Sequence, residues 1–146
     1  YTESVTMVLR NGISGLGQAG AGAPRVLLTT FPQESHGLGL LMAEAFFALE
    51  GCHCLSLGVQ MPIPEIASAA RAHRGQIVAL SFSASLHAKD VTQGLTDLRR
   101  LLPADTEIWA GGGCPVLQRH TLPGVRVLDG FPAIQSQLQL WRQTQD

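Results

Sequence analysis

Glu34 and His36 stand two residues apart, and Gly39 follows, in the run Phe31-Pro-Gln-Glu-Ser-His-Gly-Leu-Gly39. A neutral imidazole can give a lone pair to a metal, and a carboxylate nearby can accept a hydrogen bond from its other ring nitrogen. That pairing fixes the tautomer and strengthens the free nitrogen as a donor. His36 also precedes an expected helix, whose positive N-terminal end disfavours an imidazolium. The pair alone could equally be a solvated loop. Gly39 is harder to dismiss, because it falls in the first helical turn, where glycine costs up to about 1 kcal/mol relative to alanine. Backbone bared for close approach accounts for it better. Two further groups matter. Ser81 and Ser83 offer hydroxyls, and Gly111-Gly112-Gly113 removes every Cβ from one stretch, so that a bulky group could lie against it. Serine ends many strands, and a triple glycine is also what a plain flexible loop looks like.

Whether these groups meet depends on the elements that carry them. Arg25–Thr30 is a short apolar, β-branched run of the kind buried on both faces of a sheet. Leu38–Leu49 has the character of a helix, with Gly51 as its stop. Strands are then predicted at Cys52–Leu57, Gln76–Ser81, Glu107–Ala110 and Val125–Leu128. Helices are predicted at Pro64–His73, Val91–Leu102, Pro115–Thr121 and Pro132–Trp141. Strict alternation of strand and helix predicts an α/β fold: a five-stranded parallel sheet with right-handed crossovers and helices on both faces. The flavodoxin-like (Rossmann-like) order 2-1-3-4-5 is the natural candidate, and ligands bind there at the carboxyl ends of the strands, where the order reverses. That rule brings together the loops after strands one, three and four, which carry Glu34 and His36, Ser81 and Ser83, and Gly111 to Gly113. The ends of strands two and five (Gly58-Val-Gln, Asp129-Gly) are less distinctive.

Upstream, Val5, Val8, Leu9, Ile13 and Leu16 keep helical spacing. Residues 1–16 therefore read as an amphipathic helix, 17–24 as a Gly/Ala linker and 25–146 as the domain. The chain opens on Tyr1 rather than Met, which suggests a processed protein or an excised piece.

The three loops together resemble the cobalamin-binding domain, whose pattern is an acidic residue-x-His-x-x-Gly, then Ser-x-Leu, then Gly-Gly. The run PQESHGLGLLMAEAFFALEGCHCLSLG is more closely similar to the C-terminal sensor domain of MerR-family transcriptional regulators, the group of CarH- and LitR-type light-responsive repressors. The resemblance covers about residues 24–141. It implies cobalamin bound base-off, its dimethylbenzimidazole tail entering along the first helix, and His36 as the lower ligand of cobalt. Cofactor contacts are implied for Glu34, Ser35, His36, Gly39, Ser81, Ser83, Gly111, Gly112 and Gly113. Glu34 stands where many members have Asp, and Ser83 where the pattern has Leu. In such regulators a DNA-binding domain and a helical bundle precede the sensor, and residues 2–16 resemble the last helix of that bundle. The implied function is a non-enzymatic sensor; the alternative is a corrinoid-carrying module of a methyltransferase or mutase.

Composition sets outer limits. Of 146 residues, 45% are hydrophobic and 14% charged, with a net charge of −1, so no cationic face for nucleic acid or an anionic membrane is expected on this chain. A DNA-binding parent protein, and an assembly of several copies, stay open. No apolar run approaches the ~20 residues that span a bilayer, no secretory signal is visible, and three cysteines make no disulfide framework, so the cytoplasm is expected.

Several other readings fail. Gly15-Leu-Gly-Gln-Ala-Gly20 is a literal G-x-G-x-x-G, but it follows a helix and precedes a strand, the reverse of a dinucleotide fingerprint. A phospho-receiver needs an Asp where Ser81 ends strand three, and Phe31-Pro32-Gln33 is no flavin phosphate loop. Cys52 and Cys54 share one strand face while His53 takes the other, so they cannot converge on zinc. Cys114, beside the glycine loop, is expected to line the site. Phe46, Phe47 and Trp109 read as core.

Overall fold

The computed structural model describes residues 24–144. The helix expected over residues 1–16 and all of the linker but Pro24 lie outside them. The strands are β1 (Arg25–Thr29), β2 (His53–Gly58), β3 (Ile77–Ser81), β4 (Glu107–Gly111) and β5 (Val125–Val127). The helices are α1 (Leu38–Leu49), α2 (Ile63–Ala72), α3 (Ala88–Leu101), α4 (Val116–Arg119) and α5 (Pro132–Thr144). All strand pairs are parallel, in the order β2-β1-β3-β4-β5, as expected.

Burial follows position in the sheet. The inner strands β1, β3 and β4 bury nearly every residue, whereas the edge strands β2 and β5 stay half-exposed. Because side chains alternate, each inner strand feeds two cores. Leu27, Val78, Leu80, Ile108 and Ala110 pack beneath α2, α3 and α4. Val26, Leu28, Ile77, Ala79 and Trp109 pack beneath α1 and α5, against Leu40, Phe47, Leu138 and Trp141. Gly51 ends α1 in the left-handed region (φ +82°), its N–H bonding Ala48 O at 3.0 Å.

Element ends differ from expectation by a few residues, most at α3, which begins at Ala88 rather than Val91. Its stripe of Val91, Gly94, Leu95 and Leu98 buries one face, and the three residues before it extend the first turn with Asp90 at the helix's positive end.

Candidate cofactor site

The loop between β1 and α1 is pinned from below before it presents anything. Thr29 and Thr30 are both wholly buried. The Thr29 hydroxyl donates to Gly58 O at 2.9 Å. The Thr30 hydroxyl donates to Glu34 O at 3.1 Å and accepts from Gln60 N–H at 2.8 Å. A turn closes as Glu34 N–H bonds Phe31 O at 3.0 Å. These contacts turn the Glu34 side chain inward, where it is 1% exposed.

Four donors converge on that carboxylate. His36 gives it its backbone N–H at 3.2 Å and its ring Nδ1 at 3.0 Å. Ser83 gives its backbone N–H to Oε1 and its hydroxyl to Oε2 at 3.0 Å. Burial pushes the Glu34 carboxyl up, but the bonds from Ser83 and His36 together outweigh it and hold the group below its ordinary value. A carboxylate can only accept, so the His36 nitrogen facing it carries the proton, and in the neutral ring Nε2 is the nitrogen with the lone pair. The ring itself is 67% exposed, at the opening of a cavity.

That cavity, about 450 Å³, lies between α1 and the carboxyl ends of β3, β4 and β5. Small residues create it. Gly39 and Ala43 lie one above the other on α1, and Ala79 and Ser81 share one face of β3, so helix and strand meet without filling the space between them. Gly111, Gly112 and Gly113 open a third side, and Leu128, Phe131 and Ile134 form the fourth. Phe47 and Trp109, each 1% exposed, close the floor with ring centroids 5.8 Å apart. The wall is mostly apolar, with the backbone of the glycines and a few polar side chains as its polar part. The Ser81 hydroxyl faces it without a hydrogen-bond partner among the described residues.

The glycines differ in what they do. A Cβ on Gly39 would come within 3.0 Å of Ser81 Oγ, narrowing the slot at its mouth. Gly112 (φ +118°) would drive a Cβ to 2.1 Å from Phe82 O, so the turn itself needs glycine there. Gly111 and Gly113 have room for a Cβ, with nothing nearer than 3.8 Å. Their bareness is therefore not required by the fold.

Of the nine residues singled out in the sequence, eight line this cavity: Glu34, His36, Gly39, Ser81, Ser83 and the three glycines. Ser35 does not; it lies exposed on the outer side of the loop. Cys114 is a correction. It is 2% exposed and packs in the core beneath α2 to α4, its thiol toward Leu86 O at 3.8 Å, because the chain reverses at Gly112 and carries it to the far face. Cys52 is buried and Cys54 half-buried, while His53 is exposed. Burial pushes both thiols up to about 12, far from the thiolate that a metal needs. Sequence reasoning missed Thr30, Ala43, Ala79, Leu128, Phe131 and Ile134, and it read Phe47 and Trp109 as core alone. The available signal was the run of small residues at i, i+4 on α1 and i, i+2 on β3.

The residues fit a corrinoid. The His36 ring stands at the mouth with Nδ1 bound and Nε2 free, a largely apolar cavity lies behind it, and the Ser81 hydroxyl faces the space. Among the described residues, no helix is long and apolar enough to cross a membrane.

Comparison with known proteins agrees. Residues 24–129 match the B12 binding domain family. The chain is 37% identical over 86 residues to the HTH-type transcriptional repressor CarH of Myxococcus xanthus, covering 59% of this chain and 29% of that protein. It thus spans less than a third of that relative. The fold matches a cobalamin-binding protein from Desulfitobacterium hafniense with a TM-score of 0.67, at 20% identity over 93% of this chain and 67% of that one. It matches the monomethylamine corrinoid protein of Methanosarcina barkeri with a TM-score of 0.67, at 16% identity over 88% and 63%. At those identities the likeness is one of fold. Family match and sheet order together lead to one conclusion: this chain belongs to the B12 binding domain family, whose cofactor is cobalamin.

Proposed function

We propose that this chain is the cobalamin-sensing domain of a MerR-type transcriptional regulator, and that it holds the cofactor base-off with His36 as the lower ligand of cobalt. The observation that carries the reading is the Glu34–His36 pair: Nδ1 donates to a buried carboxylate at 3.0 Å, which leaves Nε2 free at the cavity mouth. Bound cobalamin would supply a cobalt centre whose upper ligand can change with the signal. The chain's own residues do the holding. Glu34 orients the ring through Nδ1. Ser83 fixes Glu34. Gly39, Gly111 and Gly113 bare backbone to the incoming tail, and the apolar slot excludes water from it.

The regulator reading draws support from the 37% identity to a transcriptional repressor. In it, DNA binding belongs to the parent protein, and the cytoplasm is the place of work. The enzymatic alternative, a corrinoid carrier for a methyltransferase or mutase, shares the fold of the monomethylamine corrinoid protein at 16% identity, which leaves it the weaker reading.

The test is an absorbance titration of the purified chain with cobalamin, alongside His36→Ala. The expected result is a base-off spectrum for the parent chain, and affinity lowered at least about tenfold for a variant that melts normally. Unchanged affinity and spectrum in His36→Ala would remove the ligand role.

A further inference from the structure

The slot has a chemical preference written into its walls. Corrinoids of the cobamide type differ in the base at the end of their tail, which is a benzimidazole in some and a purine in others. Resting on the reading above, in which that tail enters this cavity, we infer that the chain selects a cobamide with an apolar benzimidazole base over one with a purine base.

The side chains of the buried apolar wall are Leu40, Phe47, Ala79, Trp109, Leu128 and Ile134, beside the bare backbone of the glycines. Trp109 is the only one with a polar side-chain atom, and its Nε1 already donates to Glu107 Oε1 at 2.9 Å. Ser83 is likewise committed, to Glu34 and Ser85. One side-chain group remains, the Ser81 hydroxyl, half-buried and without a partner among the described residues. A single hydroxyl can satisfy a single ring nitrogen, which is what a substituted benzimidazole has to offer in its five-membered ring. A purine brings further ring nitrogens, and in adenine an exocyclic amine, into a space with no side chain left to meet them. Each polar group desolvated without a partner weakens binding, whereas methyl groups on the six-membered ring bury carbon against carbon.

The 146-residue chain is titrated with three probes: cobalamin, the cobamide carrying adenine in its place, and cobinamide, which has no base. Cobalamin is expected to bind base-off about tenfold or more tightly than the adenine form. In Ala79→Ser, which adds a hydroxyl to the floor without bulk, that ratio is expected to shrink. Equal affinity for both base-off cobamides, or a ratio that Ala79→Ser leaves unmoved, overturns the selectivity while the proposed function stands. Failure to take up any of the three, or uptake of cobalamin with its own base still on cobalt, overturns the function and the selectivity together.

Discussion

The chemistry of this domain turns on a carboxylate that reaches three ways. Glu34 is 1% exposed yet ionised, because Ser83 and His36 supply the donors that water would otherwise provide. A glutamine at this position would keep the shape but put an amide NH2 against at least one of those donors, at a cost of about 1–3 kcal/mol. The pH dependence has a definite sign. The carboxyl of the folded protein lies below its ordinary value of 4.5, so its stabilisation is complete above that value and is lost as pH falls through the lower, folded one. Melting temperature measured downward from about pH 5 should therefore drop more steeply for the parent chain than for Glu34→Gln. Parallel slopes would contradict the account. Only part of this was legible beforehand. The i, i+2 spacing of Glu34 and His36 suggested their bond, but Ser83 lies 49 residues away, and no local pattern announces a partner at that separation. Thr30 was hidden for the same reason: a threonine ending a strand looks ordinary until its hydroxyl is seen tying down the Glu34 carbonyl at 3.1 Å.

At the scale of elements, the cavity is an unfilled joint between α1 and β3. Ala43 and Ala79 keep it open, so a larger apolar side chain there should favour the empty fold and oppose the cofactor. Ala43→Leu is expected to melt at or above the parent's temperature, with a gain of about 0.5–2 kcal/mol, and to lose cobalamin almost entirely. A variant that bound normally would show that the tail does not use this slot. The joint also explains what the sequence could and could not disclose. Both ends of α1 were legible, since the apolar run is bracketed by Gly37 and Gly51, and Gly51 does take the left-handed conformation of a stop. The convergence of three loops followed from the strand order alone. Ala43 was the weak half of that i, i+4 signal, because alanine is also the best helix former and nothing in one dimension shows that no neighbour fills the space beside it. The β5 end looked undistinguished, yet Leu128, just after it, and Ile134 on α5 both line the inner wall. Cys114 misled because it is adjacent in sequence to the glycines while Gly112 sends it to the opposite face.

For the described residues as a whole, two large cores, one on each face of the sheet, hold the domain together around the cavity. Family likeness ends at residue 129, but α5, beyond it, supplies Ile134 to the cavity and Leu138 and Trp141 to the core. In the proposed binding mode, ligand and fold are therefore coupled through the C-terminal helix. At a free cobalamin concentration about a hundredfold above the dissociation constant, stability should rise by about 2.7 kcal/mol. For a domain of this size that is about 5–10 °C in melting temperature. An unchanged melting curve under saturating cobalamin would contradict binding to the native fold.

The central claim is that His36 itself reaches cobalt. The most direct measurement is the electron spin resonance spectrum of the chain loaded with cobalt(II) cobalamin, recorded once with ordinary protein and once with histidine carrying the heavy nitrogen isotope. The expected result is a splitting from one axial nitrogen that changes pattern when only the protein is labelled. A splitting that ignores the label, or none from nitrogen at all, would contradict the account.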